Sequence, residues 1–273
     1  AASDVYKRQY YFNVQDTDNS ELKERKQAIV HPVVDYRYFL PDPIYGGELS
    51  LTTNFTSISR STQDSYAMGG FPRFNGLEGS YTRWTTEAEW KRTITMDSGL
   101  QITPILAARG DALWTDMTAA SFTSGGTSYA YEGMIHDDAA LRGMVTGGLE
   151  VRYPWLFTAL NSSHVIEPIA QIFVRPNEQY SGRFPNEDSQ AFVFDATNLF
   201  ERDKFSGFDR IEGGTRANLG FRYNGTFDNG YGVRAIAGQS FHLAGDNSFA
   251  SYDLLNVGAD SGLESDRSDY VAM

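Results

Sequence analysis

Apolar and polar residues alternate along most of the chain. Between Thr215 and Asp228, for example, Arg216 and Arg222 occupy even-numbered positions, whereas Leu219 and Phe221 occupy odd-numbered positions. Successive strand side chains point to opposite faces, so this period of two predicts a strand with one polar and one apolar face. The whole chain predicts about ten strands, at residues 10–13, 29–40, 47–60, 80–95, 100–116, 140–159, 164–177, 215–227, 231–244 and 268–273.

Helical periodicity is weak throughout the sequence. The stretch from Ser20 to Ala28 could form one or two helical turns, but it is densely charged. Such a charge density is more typical of a solvated loop. We therefore predict no helix.

The connections between predicted strands alternate between short and long without exception. The short ones have about 3 to 6 residues and include the turns at 96–99 and 228–230, whose residues suit tight hairpins. The long ones have about 15 to 37 residues, and the longest contains the polar stretch 186–214. All short turns then lie at one end of a meander and all long loops at the other, which is typical of outer-membrane barrels.

Strand length and aromatic placement favour the same architecture. Most predicted strands exceed the roughly 9 to 11 residues that a tilted strand needs to cross a bilayer. We therefore predict an all-β fold, an antiparallel up-and-down transmembrane β-barrel that is incomplete, with about ten strands of a larger barrel. A soluble β-sandwich or propeller would not explain the alternating loop lengths. Aromatic rings, which favour the headgroup level, lie toward strand ends at Tyr36, Tyr38, Phe39, Trp114, Tyr153, Trp155, Phe157, Phe227, Tyr231 and Phe241.

Composition narrows the functional classes. The 273 residues carry a net charge of -12, which argues against general nucleic-acid binding. Mean hydropathy is -0.41, and no apolar run is long enough for a transmembrane helix. The chain has no cysteine, so disulfides, thiol catalysis and cysteine-ligated zinc are excluded.

Catalytic chemistry has no support in the sequence. The histidines His31, His136, His164 and His242 are scattered without metal-ligand spacing. Nucleotide-binding glycine loops and the nucleophile elbow of hydrolases are absent as motifs. We expect no catalytic residues, no metal site, no cofactor and no enzymatic activity.

The first residues carry a different signal. Residues 4–9 can be back-translated into a transposase end sequence used in DNA library preparation. We therefore expect residues 1–9 to be a translated sequencing adaptor, the alternative being a natural tail, and residues 10–273 to form part of one outer-membrane β-barrel domain. The chain starts without methionine and ends inside a predicted strand, so we expect a fragment. Its open edges would prevent stable folding in isolation.

Two stretches carry a family resemblance. One is the strand with Glu167-Pro168 and Gln171, and the other is the loop with Asp195, Leu199-Phe200 and the core Phe205-Ser206-Gly207-Phe208-Asp209-Arg210. They resemble the barrel of LptD, the family of outer-membrane lipopolysaccharide assembly proteins also called organic solvent tolerance proteins. The segments 31–38 and 81–93 are similar to that barrel as well, and the resemblance extends over nearly everything from Tyr10 onward.

The resemblance implies a transport function at the outer membrane of a Gram-negative bacterium. Such proteins insert lipopolysaccharide into the outer leaflet: a periplasmic jelly roll passes the lipid chains upward, the saccharide enters the lumen, and the molecule leaves between the first and last strands. No bond is broken. The implied partners are lipopolysaccharide, outer-membrane lipids, an LptE-like plug lipoprotein and a periplasmic LptA-like bridge, with no nucleic acid.

The chain departs from the complete family pattern, because it contains no jelly roll, no closing strands and no interdomain cysteines. Two other functional classes stay open. One is an outer-membrane porin or TonB-dependent receptor barrel. The other is a soluble β-rich binding or surface protein, which would not partition into detergent.

Candidate site residues come from the polar strand faces and from the long loop. The loop offers the family-like motif Gly207, Asp209 and Arg210, in which the last two either pair within the loop and fix its fold or act in transport. Arginine can bind phosphate through two parallel hydrogen bonds, although any large barrel has polar lumen rows. The lumen-facing candidates for substrate contact are Arg83, Glu87, Lys91, Arg142, Arg152, Arg175, Arg216 and Arg222.

Overall fold

Long antiparallel strands dominate the fold. The structure is a computed structural model that describes residues 2–11, 20–68, 71–124, 127–131, 133–250 and 260–273. Its elements in chain order are β1 (Ala2–Tyr10), α1 (Ser20–Lys26), β2 (Ile29–Phe39), β3 (Glu48–Arg60), β4 (Asp64–Met68), β5 (Phe71–Gly76), β6 (Gly79–Lys91), β7 (Ile94–Thr95), β8 (Gln101–Met117), β9 (Ala120–Ser124), β10 (Thr127–Tyr131), β11 (Asp137–Arg152), β12 (Trp155–Ala159), β13 (Ser162–Val174), β14 (Thr215–Phe227), β15 (Gly232–Ala244) and β16 (Val271–Ala272).

Twelve of these strands form one antiparallel sheet. Its main order is β1-β2-β3-β6-β8-β11-β13-β14-β15-β16, while β7 pairs with β8 and β12 pairs with β13. Each strand of this path lies beside its predecessor, so the predicted all-β meander is confirmed, as is the alternation of short turns and long loops. Within the described residues β1 and β16 do not pair with each other, and the sheet is not closed.

The structure corrects several sequence-based boundaries. The prediction of no helix is wrong, because Ser20–Lys26 is helical and its last turn carries basic side chains that suit a helix C-terminus. The strand predicted at 140–159 is interrupted at Pro154, which has no N–H for the ladder; β11 and β12 then pair with successive parts of β13. The long loops also contain two unpredicted hairpins, β4–β5 and β9–β10.

The two terminal strands differ from the prediction as well. The strand predicted at 268–273 is reduced to β16, and that predicted at 10–13 falls at the end of β1, with residues 12 and 13 outside the described residues. Residues 2–10 pair with β2, for example Val5 with Tyr36. An edge accepts any extended segment, so the adaptor origin of residues 1–9 stays a prediction.

The sheet has two chemically different faces. The outer face exposes large apolar side chains, such as Trp84 (53%), Leu106 (59%), Leu141 (74%) and Val145 (62%). The inner face carries polar side chains, and the long loops pack against it. Buried apolar clusters lie between this face and the loops, one around Tyr81, Leu113 and Phe184 and another around Leu199, Phe205 and Phe249. Among the described residues no helix is long and apolar enough to cross a membrane.

Candidate functional site

The connection between β13 and β14, residues 175–214, crosses the inner face of the sheet and is here called the cross-sheet segment. Its Glu187 carboxylate binds Arg60 of β3 at 2.6 and 2.8 Å. The carbonyl oxygen of Phe208 accepts hydrogen bonds from Arg109 of β8 and Arg142 of β11. The polarity of this long stretch therefore has a structural reason. Its charged side chains and backbone carbonyl groups bind inner-face side chains of several neighbouring strands.

Arg83 of β6 is the centre of the first buried cluster. Its guanidinium binds Asp209, Asp188 at 2.8 Å and the side-chain oxygen of Asn54 at 2.7 Å, and it is fully buried. The Tyr81 hydroxyl also donates to Asp209. A buried guanidinium needs partners for its charge, which the two carboxylates provide through its two terminal nitrogens. Its Nε has no hydrogen-bond partner among the described residues.

The two carboxylates of this cluster respond differently to it. Burial raises the pKa of Asp209 above its ordinary value, although Arg83 acts in the opposite direction. Burial would also raise the pKa of Asp188, but there Arg83 prevails and holds the pKa well below the usual range. The Arg83 guanidinium thus contacts two carboxylates with different pKa values: Asp188 is firmly ionised, and Asp209 binds a proton more readily.

Two reciprocal carboxylate contacts fix the local fold of the segment. Asp188 Oδ1 accepts the backbone N–H groups of Phe208 and Asp209, each at 3.0 Å. Asp209 Oδ2 accepts those of Glu187 at 2.6 Å and Asp188 at 3.0 Å. Gly207 has φ +67, and a Cβ there would lie 2.3 Å from the carbonyl oxygen of Asp188. Glycine is therefore required where the two stretches meet.

Arg142 of β11 organises a second cluster beside the first. It binds Asp111 of β8 at 2.9 Å, Glu178 at 2.8 Å and the carbonyl oxygen of Asp209 at 2.8 Å. Its guanidinium also lies 4.0 Å from the ring centre of Phe184. Burial raises the pKa of Glu178, with Arg142 opposing. Arg142 thereby joins two strands to both ends of the segment.

A third cluster surrounds Glu212, where the segment enters β14. Arg216 binds this carboxylate directly and Arg175 lies 3.6 Å from it, all three being buried. Burial would raise the pKa of Glu212, but Arg175, Arg216 and Lys204 lower it below its ordinary value. Burial lowers the pKa of Lys204 to about 8. The cluster therefore gathers more cations than Glu212 alone can neutralise.

Arg210 and Asp209 fix the segment through different contacts. The Arg210 guanidinium donates to the carbonyl oxygen of Phe184 at 2.5 Å, and its backbone N–H donates to Ser189 at 2.9 Å. Asp209 pairs with Arg83 of β6. The motif residues thus fix the segment in two ways, one by intraloop hydrogen bonds and one by anchoring to the sheet.

The remaining candidates lie toward the short turns, and their side chains are more exposed to solvent than those of the three clusters. Glu87 binds Arg202 of the segment. Arg152 lies 2.7 Å from Glu150 and 3.7 Å from Glu167, and Arg222 lies 3.5 Å from that same Glu167. Lys91 is half exposed.

Seven of the eight candidates lie on the inner face of strands, and the eighth, Arg175, begins the cross-sheet segment. They form separate groups. Arg83, Arg142, Arg175 and Arg216 are buried by the segment, whereas Lys91, Arg152 and Arg222 are partly exposed. Substrate contact by any of them stays a prediction. The main partners that sequence reasoning missed are Tyr81, Asp111, Glu178, Asp188 and Glu212.

The sequence contains a signal for some of these partners. Alternation along β8 places Asp111 on the inner face, and Asp188 lies inside the polar stretch that already stood out. Glu178 has no local signal, because its partner Arg142 lies on a strand 36 positions away. Glu212 lies in the same polar stretch as Asp188, four positions before its partner Arg216. Within the described parts of the chain, no group of three or more histidine or acidic residues could hold a metal ion.

The comparison with known families settles the class of protein. The family model LPS transport system D (LptD) matches residues 3–273. The chain belongs to the LptD family. Membership supports a role in transport of lipopolysaccharide to the outer membrane, and it agrees with the antiparallel all-β sheet. A comparison with curated proteins finds no match.

Proposed function

We propose that this chain is the barrel part of an LptD-like translocon that moves lipopolysaccharide through the outer membrane and inserts it into the outer leaflet of a Gram-negative bacterium. The contrast between the two sheet faces carries this proposal. The inner face presents partly exposed charged side chains such as Lys91 and Arg152, and the outer face exposes Leu106, Leu141 and Val145. A phosphorylated glycolipid needs both environments, because its saccharide would lose hydrogen bonds in hydrocarbon and its acyl chains would not.

Transport of this kind requires no covalent step, so the chain acts without catalytic residues, metal or cofactor. The cross-sheet segment would shape the polar route, because it contacts β3, β6, β8, β11, β13 and β14 of the sheet. We further propose outer-membrane lipids, an LptE-like plug lipoprotein and a periplasmic LptA-like bridge as partners, since an intact family member would work with these. No nucleic acid is involved.

The test is complementation with the full-length protein. Cells depleted of their own family member would express it, and lipopolysaccharide at the cell surface would be measured with an impermeant label. We expect surface lipopolysaccharide to be restored. A barrel that inserts and admits small solutes while lipopolysaccharide stays inside would instead support the porin or receptor alternative.

A pair of variants then links export to the segment. Asp209→Ala with Arg210→Ala removes the two motif side chains that fix the segment, and Val193→Ala shortens a side chain of the same segment that is 71% exposed. We expect the double variant to lose most export while its barrel still inserts, and Val193→Ala to export normally. Normal export by the double variant would remove the segment from the mechanism.

A further inference from the structure

A group of polar side chains interrupts the apolar outer face near the short turns. Even-numbered residues of β13 and odd-numbered residues of β14 lie on this face, as the exposed side chains of Ile172 and Leu219 show. Ser162 and His164 at the start of β13 and Tyr223 near the end of β14 therefore share the outer face. These three residues are here called the belt cluster.

Hydrogen bonds join the side chains of the belt cluster. The two ring nitrogens of His164 lie 2.8 Å from the Tyr223 hydroxyl oxygen and 3.0 Å from the Ser162 hydroxyl oxygen. Gly225 of β14 lies directly opposite His164, and a Cβ there would be 2.5 Å from the Tyr223 hydroxyl oxygen. The glycine therefore leaves the space through which the tyrosine reaches the imidazole ring.

Aromatic side chains surround the belt cluster. Phe157 of β12 pairs directly with His164, and Trp155 lies on the same face two residues away. The Phe227 ring meets the imidazole ring edge to face, with 5.5 Å between the ring centroids. Aromatic rings on the lipid side of a barrel mark the headgroup level, so the cluster lies at the depth of lipid phosphates.

His164 is the residue that can bring positive charge to this part of the outer face. The outer-face positions of β12, β13 and β14 contain no other histidine and no Asp, Glu, Lys or Arg. Glu167 and Arg222 lie on the opposite, inner face of these strands, and Asp228 is exposed in the adjoining turn. A proton bound by His164 therefore places one positive charge on an otherwise uncharged stretch of the outer face.

Protonation of the ring also changes what the two hydroxyl groups can do. A neutral imidazole has one N–H and one lone pair, so one of the two hydroxyl groups donates its hydrogen to the ring. An imidazolium ring donates from both nitrogens, and the hydroxyl groups of Ser162 and Tyr223 then accept. Both hydroxyl hydrogens become free to bind an anion beside the ring.

We propose that the belt cluster binds the phosphate of a glycerophospholipid in the membrane leaflet at the short-turn end. Protonated His164 supplies the positive charge, and Ser162 and Tyr223 donate to phosphate oxygens. The acyl chains lie along the apolar residues toward the middle of the strands, such as Phe221 and Leu219. The site is on the opposite face of the sheet from the polar transport route, and it rests on the proposed function only for the membrane location of the outer face.

The test is native mass spectrometry of the full-length protein in detergent, with phosphatidylglycerol as the probe. We expect Tyr223→Phe to bind the probe about tenfold more weakly than the wild type, because one hydrogen bond to a charged group is lost. The matched control is Tyr153→Phe, which removes the same hydroxyl group from a ring that packs against Trp155 outside the cluster. This control should bind the probe as the wild type does.

A second variant tests the charge. His164→Phe keeps a ring beside Tyr223 and Phe227 but cannot bind a proton. The wild type should bind the probe more tightly at about pH 5.5 than at about pH 7.5, since an imidazole ring changes its charge in this range. His164→Phe should bind weakly at both values. Equal binding by Tyr223→Phe and Tyr153→Phe, or wild-type binding that does not depend on pH, would overturn the site and leave the cluster a structural contact.

Two further probes identify the ligand chemistry. Diacylglycerol has the same acyl chains without the phosphate and should bind more weakly than phosphatidylglycerol. Inorganic phosphate has the charge without the chains and should not displace the lipid. Equal binding of diacylglycerol, or displacement by inorganic phosphate, would overturn the assignment to a glycerophospholipid.

An export assay with the same proteins separates this site from the proposed function. A wild-type protein that restores lipopolysaccharide export but binds no phosphatidylglycerol would overturn the lipid site alone. A wild-type protein that binds phosphatidylglycerol but restores no export would overturn the proposed function alone.

Discussion

The carboxylate of Asp209 lies against the guanidinium of Arg83, although the two residues are 126 positions apart, and neither side chain is exposed. The contact joins the cross-sheet segment to the middle of β6. A long polar connection is mobile in water unless tertiary contacts hold it. Here the sheet supplies ion-pair partners, and apolar side chains of the segment such as Phe184, Leu199 and Phe205 are buried as well.

A double-mutant cycle tests that contact. Arg83→Met leaves Asp209 and Asp188 close together without their shared cation, and we expect the segment to lose about 3–5 kcal/mol of stability against local opening. Asp209→Asn should cost less, because Asp188 still binds the guanidinium. The two effects should not add, since both variants remove the same contact. Amide hydrogen exchange of residues 186–214 measures each change.

Arg222→Met is the control for this cycle. Its side chain is 38% exposed and lies 3.5 Å from Glu167, so we expect a change within about 1 kcal/mol. Unchanged exchange in Arg83→Met would mean that the segment is held by other contacts.

The sheet was largely predictable and the buried clusters were not. Alternation along β6 placed Trp84 opposite Arg83, and the structure confirms that one is exposed and the other buried. Successive side chains of a strand point to opposite faces, so the sequence alone predicts which face each residue occupies. The path of the cross-sheet segment depends on contacts between distant residues, such as Glu178 with Arg142, and no local pattern encodes them. The charges of the segment were visible, but their partners were not.

Acid should weaken the Glu212 cluster. The pKa of Glu212 is below its ordinary value of 4.5 in the folded protein, so ionised Glu212 stabilises the fold at neutral pH. This contribution declines once the pH falls below about 4.5 and is lost through the folded pKa. Glu212→Gln leaves Arg175 and Arg216 without their carboxylate and should cost about 3–5 kcal/mol at pH 7.

The role of Glu212 is tested by measuring the rate at which a protease cleaves the segment in the wild type and in Glu212→Gln at a series of pH values. The difference between wild type and Glu212→Gln should be largest near pH 7 and should shrink as the pH falls below 4.5. A difference that does not depend on pH would contradict the assigned role of the charge.

Alkali should stabilise the segment through Lys204. Burial lowers the pKa of this residue from 10.5 to about 8, so the folded state releases its proton before the unfolded state does. Between these two values the unfolded state binds more protons, and stability rises with pH. Lys204→Met should abolish this rise. Hydrogen exchange of the segment at pH 8 and pH 10, corrected for intrinsic rates, compares the two proteins; an equal rise in both would show that another group is responsible.

The outer face provides a test of membrane insertion. Val145 lies near the middle of β11 on that face and is 62% exposed, whereas Leu160 is fully exposed in the turn between β12 and β13. In a bilayer, arginine costs about 2–4 kcal/mol at mid-depth and about 0–1 kcal/mol near the interface. We therefore expect Val145→Arg to destabilise the full-length protein in lipid vesicles, measured by urea titration, and Leu160→Arg to have little effect. In a soluble sheet both positions would face water, so small and equal effects would contradict a lipid-facing surface.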